Sequence, residues 1–153
     1  MKAIKIICPF LISCSILIMC LLISSCGKDP ALSAGEQAIL KLTASPWKMV
    51  SVTIDGVDKT AMFTGLTITF SKTSSNGGTY AAVNGGLVWT ASGQWTITDM
   101  NTAGFIMRGD NLEVQLNELL PASLTMTLDW NKNTFGSGRL ASIKGKHVFS
   151  MGT

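Results

Sequence analysis

The chain has 153 residues, 46% of them hydrophobic and 14% charged, with 12 basic against 9 acidic side chains for a formal charge of +3. That balance excludes a charge-rich disordered chain, and the length fits one principal domain. It also supplies no basic stripe, so nucleic acid is not expected as a partner.

The chain opens with Met1, Lys2 and Lys5 and then carries no charge from Ile6 to Ile23. A basic start followed by an apolar stretch suits either a secretory signal or a membrane span, and the flanking residues separate the two. Small residues, Ser24 and Ser25, stand directly before Cys26, as at a cleavage site. The tetrapeptide Ile23-Ser24-Ser25-Cys26 resembles the lipobox of bacterial lipoproteins. The resemblance implies that the Cys26 thiol takes a diacylglyceryl group, that the chain is cut before it, and that the new amino group is free to take an acyl chain such as palmitate. Each buried methylene contributes about 0.8 kcal/mol and a single chain binds only marginally, so several chains on one residue make a firm anchor. The location this implies is the outer membrane, facing the periplasm or the cell surface. An uncleaved N-terminal helix with Cys26 as a bystander is the alternative, and the small residues and polar tail argue against it.

Cleavage after residue 25 removes Lys2 and Lys5 and no acid, so the charge falls from +3 to +1. Cys8, Cys14, Cys20 and Cys26 are the only cysteines. The folded part then has no disulfide framework, no cysteine metal site and no thiol nucleophile. Lys28 and Asp29 look like the charged tethers that direct some lipoproteins to the cell surface, and read equally as a solvated linker beside Pro30.

The pattern divides the chain into a signal peptide over 1–25, a lipidated tether with a short helix over 26–45, and a β domain over 46–153. Ser33 and Glu36 form a capping-box pair, and Ala38, Ile39, Leu40 and Leu42 give an apolar face before Pro46 stops the helix. Beyond Trp47 the helical period vanishes. Leu66 to Phe70, Leu112 to Leu116 and Leu124 to Trp130 alternate apolar and polar residues, as antiparallel strands with one wet face do. Weaker strands are expected over Met49 to Ile54, Tyr80 to Val83, Leu87 to Thr90, Gln94 to Thr98, Gly104 to Met107 and Arg139 to Met151. Turn signals separate them at Asp55-Gly56, Ser75-Asn76-Gly77-Gly78, Asn84-Gly85-Gly86, Arg108-Gly109-Asp110-Asn111 and Asn131 to Gly138. Short connections favour an up-and-down meander, and about eight such strands close into a barrel with an interior for side chains or one small ligand.

The order of tether, short helix, Ser45-Pro46-Trp47-Lys48-Met49-Val50, a turn at Asp55-Gly56 and hairpins containing Gly93-Gln94-Trp95-Thr96-Ile97 resembles the lipocalin-like domains of small bacterial lipoproteins. By that resemblance Trp47 is the first-strand tryptophan that plugs one barrel end, with Ser45 at the position expected to be glycine. Its basic partner would be Arg139 or Lys144. The resemblance implies an all-β, lipocalin-like barrel with a binding cavity and without catalytic residues.

The residues themselves point to no reaction and no cofactor. His147 is the single histidine, too few for a usual zinc site, and no Gly-x-Ser-x-Gly elbow accompanies it. Strand alternation instead puts it on one face with Phe149 and Met151. Asp129 to Asn133 echoes half of a calcium loop, but Thr134 stands where glycine is required and Leu140 where the bidentate glutamate should be. Glu113 and Glu118 lack the facing arrangement of a glycosidase pair.

The candidate ligand-lining residues are Trp47, Phe70, Tyr80, Trp95, Phe105, Met107, Val114, Met126 and Leu128. Aromatic and methionine side chains line adaptable apolar pockets, and the same set packs a solid core. Two readings of function therefore stand. One is a lipid-anchored, non-catalytic barrel that binds a small apolar or amphipathic ligand. The other is a filled barrel that presents its outer face to an envelope protein or glycan, which a solvent-facing Trp89 or Trp130 would favour.

Overall fold

A computed structural model describes residues 31–132 and 143–153, so the signal segment, Cys26 with its charged tether, and Arg139 lie outside the described residues. Residues 32–153 form one compact unit. It begins with helix α1, Ala34–Thr43. The capping box is made: the Glu36 amide donates to Ser33 Oγ at 3.2 Å, and the Ser33 amide donates to Glu36 Oε2 at 2.8 Å. Gly35, Ala38, Ile39 and Leu42 are buried, whereas Leu40, expected on the same face, is 56% exposed. Residues three and four apart share a helical face, and Leu40 falls off that stripe.

The rest is antiparallel sheet: β1 (Trp47–Ile54), β2 (Val57–Asp58), β3 (Thr67–Lys72), β4 (Gly77–Val83), β5 (Ser92–Ile97), β6 (Phe105–Arg108), β7 (Glu113–Leu119), β8 (Ser123–Trp130) and β9 (Gly145–Gly152). The order is β2-β1-β3-β4-β5-β6-β7-β8-β9, and β1 also pairs with β9, from Lys48 opposite Gly152 to Ile54 opposite His147. Eight strands thus close an up-and-down barrel, as expected, with β2 a two-residue ribbon on the end of β1. Closure matters because it pairs the outer strand edges that would otherwise template association.

Two local expectations are corrected. Gly77 and Gly78 belong to β4 rather than to the turn, because a side chain at Gly78 would run into the Ser71 carbonyl of the neighbouring strand. Leu87 to Thr90 is no strand; it lies in the loop over 84–91, which places Val88 and Trp89 in the core. The segment between β2 and β3, for which the sequence offered no element, also carries structure. A 3-10 turn, Thr60–Phe63, interrupts the strand path there and drives Phe63 into the interior.

The helix closes one barrel end. Its Gly35 amide donates to the Met100 carbonyl at 2.8 Å, Lys41 Nζ donates to the Leu119 carbonyl at 3.3 Å, and the Trp47 indole N–H donates to the Leu42 carbonyl at 2.9 Å. That last bond satisfies a carbonyl of the final turn, which has no partner within the helix. Antiparallel alternation sends the loops after β4, β6 and β8 to the opposite end. Lys144, one of the two basic residues suggested as partner to Trp47, precedes β9 at that opposite end and is not placed beside it.

Candidate functional site

The barrel interior is built from side chains that alternate inward along each strand, joined by Phe63 from the 3-10 turn and Trp89 from the loop over 84–91, and six of its rings form one connected column. Phe63 meets Phe149 edge-on at 5.2 Å, Phe149 meets Trp89 at 6.1 Å, Trp89 meets Tyr80 at 5.5 Å, Tyr80 meets Phe70 at 6.4 Å and Phe70 meets Trp95 at 5.6 Å. All but the tilted Phe70–Tyr80 pair, at 55°, are nearly perpendicular, which sets the positive edge of one ring against the negative face of the next. Trp95 is held in place by its indole N–H, which donates to the Thr79 carbonyl at 2.9 Å. Tyr80 is held by a hydroxyl contact to Thr90 Oγ1 at 2.8 Å.

Of the nine candidate lining residues, Trp47, Phe70, Tyr80, Trp95, Val114, Met126 and Leu128 are buried in this core. Phe105 and Met107 are not among them. Phe105 is 37% exposed and Met107 half-buried, both on the outer face of β6, while Ile106 and Arg108 point inward. The register explains it: Arg108 lies opposite Trp95, and Ile106 lies opposite both Ile97 and Val114, all inward residues. In Phe105-Ile106-Met107-Arg108 three apolar residues in a row hide the alternation.

Arg108 is the site residue that sequence reasoning missed, having been taken as part of a turn. It is 2% exposed. One guanidinium nitrogen, Nη1, donates to the Val88 carbonyl at 2.6 Å, and Nη2 donates to Asp110 Oδ2 at 3.1 Å. The cationic carbon lies 4.8 Å from the Trp89 ring and 5.5 Å from the Tyr80 ring, within range of cation–π attraction to both. Its Nε, buried as well, has no hydrogen-bond partner. Asp110 Oδ2 also accepts from Lys132 Nζ at 2.7 Å. Burial would raise the Asp110 carboxyl, but the Lys132 hydrogen bond and the charges of Arg108 and Lys132 outweigh it and hold the group below the usual carboxylate range. The signal that could have found Arg108 is the period-two continuation from Ile106, with an acid two residues further on.

His147 is buried, stacked on Phe149 at 5.8 Å with an interplanar angle of 11° and edge-on to Phe63 at 6.0 Å. Its Nδ1 lies 3.1 Å from the Gly145 carbonyl, which fixes the proton there, and Nε2 has no partner. Burial pushes its pKa down; the Gly145 carbonyl and the carboxylates of Asp55 and Asp129 pull the other way without reversing it. Trp89 and Trp130, the tryptophans whose exposure was to favour an outer-face contact, are both buried, at 1% and 4%. Asp129 is exposed on β8 opposite Lys146, and Thr134 and Leu140 of the calcium-loop comparison lie outside the described residues.

Two open clefts lie on the surface. One, of about 200 Å³, runs over the outer faces of β6 to β9 past Phe105, Glu113, Gln115, Thr127 and Lys146. The other, of about 270 Å³, lies between α1 and the segment 102–104 with Leu116 and Leu119. Both fall short of the roughly 300 Å³ at which small-molecule pockets begin. Among the described residues no helix is long and apolar enough to cross a membrane. Comparison with protein-family models and with curated proteins finds no match to this chain.

Proposed function

We propose that the chain is a lipid-anchored protein of the bacterial envelope whose barrel is a non-catalytic module, presenting its outer face to an envelope protein or glycan. The anchor reading rests on Ile23-Ser24-Ser25-Cys26 and the apolar segment before it. The observation that carries the outer-face reading is the continuous aromatic column from Phe63 through Phe149, Trp89, Tyr80 and Phe70 to Trp95, which occupies the space an internal ligand would need. The cleft over β6 to β9 offers a contact place on that face. It sets the half-exposed ring of Phe105 beside the carboxylate of Glu113, the amide of Gln115 and the ammonium of Lys146, groups that hydrogen-bond to sugar hydroxyls or to a peptide backbone.

A photo-crosslinking residue placed at Phe105 or Gln115 in the full chain, expressed in its own envelope, tests this. A discrete crosslinked product at these positions, weakened by Glu113→Gln, is expected. Crosslinking no stronger there than at Thr69 on β3 would overturn the reading.

The second reading, carriage of a small amphipathic ligand, is favoured by a different observation: a buried arginine with an unpaired Nε.

A further inference from the structure

Trp89 reaches the core from a loop, not from a strand. Residues 84–91 leave β4 through Asn84 at φ +57° and Gly86 at φ +60°, keep Leu87 half-exposed at 50%, and turn Val88 and Trp89 inward. The loop bonds to itself through the Trp89 amide and the Gly85 carbonyl at 3.0 Å. It is tied to the barrel wall by the Val88 carbonyl on Arg108 Nη1 at 2.6 Å, by Thr90 Oγ1 on the Tyr80 hydroxyl at 2.8 Å, by the Ala91 carbonyl on the Ala82 amide at 2.9 Å and by Asn84 Nδ2 on the Gly65 carbonyl at 3.3 Å. The indole then lies edge-on between Tyr80 and Phe149 with its N–H unpaired, over a guanidinium whose Nε is also unpaired. Buried donors are almost always satisfied in native proteins, so two orphans at one contact mark a place where the resting packing falls short of what the polar groups can make.

A guanidinium offers a carboxylate two parallel bonds along its Nε–Nη2 edge. Asp110 uses only half of that edge: one oxygen meets Nη2, the same oxygen serves Lys132, and Nε is left over. We propose that residues 84–91 are a displaceable plug over an interior site, and that the site takes a flat apolar molecule bearing one carboxylate. Its ring replaces the Trp89 indole between Tyr80 and Phe149, and its carboxylate bridges Nε and Nη2 of Arg108. Asp110 gives up the weaker of its two contacts and keeps Lys132. The proposal rests on the carriage reading and is independent of any contact on the outer face.

The test uses the full chain, ¹⁵N-labelled and purified in detergent, with indole-3-acetate and its neutral amide indole-3-acetamide as probes. The amide enters the micelle at least as readily as the acid and controls for partition. The chain has four tryptophans, and the Trp89 indole N–H resonance is identified by its loss in Trp89→Phe. The acid is expected to shift that resonance saturably and to bind about ten-fold more tightly than the amide, a preference that Arg108→Met abolishes and Arg108→Lys partly restores. The acid and amide comparison on the native chain needs no variant, so a poorly folding Arg108→Met leaves the test intact. Equal saturable binding of acid and amide would overturn the carboxylate site while leaving carriage standing. No perturbation of Trp89 by either probe at millimolar concentration would overturn the plug and the carriage reading together.

Discussion

At the scale of single residues, the interior holds two groups that apolar cores seldom admit, and each is tolerated for a different reason. Arg108 is accommodated because two aromatic faces, a carbonyl and Asp110 replace its hydration. His147 is shifted toward its neutral form because burial beside the Phe63 and Phe149 rings outweighs the pull of the Gly145 carbonyl and of the Asp55 and Asp129 carboxylates. That second case sets a pH dependence. With its folded pKa held below the ordinary value of 6.5, His147 leaves the unfolded chain to bind the proton first as pH falls. Its contribution to stability is therefore complete above about pH 6.5 and is lost on acidification below it. The melting temperature of the native chain is expected to fall more steeply between pH 7 and pH 5 than that of His147→Phe. Parallel slopes in the two proteins would show that the histidine is not the titrating group. Asp58, Asp99 and Asp110, all held below the carboxylate value of 3.8, act in a separate and more acidic window.

At the scale of elements, strand β6 is where alternation misleads and register decides. Four residues give too short a run to show a period, and setting Phe105 and Met107 inward with Arg108 in the turn sends Ile106 outward. Pairing with β5 and β7 overrules this, since Ile106 must share a face with Ile97 and Val114. Truncation separates the two registers. Ile106→Ala is expected to cost about 2–5 kcal/mol in denaturant unfolding, because it empties a fully buried position. Phe105→Ala, on the outer face, is expected to stay within about 1 kcal/mol, and the reverse ranking would restore the register inferred from sequence. The loop over 84–91 misled in the same way, because Leu87-Val88-Trp89-Thr90 has strand composition and gains its role only from where the barrel wall stands. By contrast α1, with its Ser33 and Glu36 cap, was readable from local chemistry alone.

At the scale of the whole molecule, anchor and barrel make separable claims. Replacing Cys26 with alanine is expected to abolish incorporation of labelled palmitate and to release the chain from the membrane fraction, without changing the melting of the folded unit. Palmitate incorporation that survives the replacement would disprove the anchor. The division of labour between sequence and tertiary structure follows from the range of the forces involved. Signal pattern, helix cap, strand alternation and turn chemistry are short-range, and they were enough to predict an antiparallel, up-and-down barrel of about eight strands. The closure of β1 on β9, the inward turn of Trp89 and Phe63, and the burial of Arg108 beside Asp110 depend on residues far apart in the chain. Only the assembled barrel brings the aromatic faces to the guanidinium that make its burial affordable, so only the tertiary structure could decide that the charge lies inside and that the interior is filled.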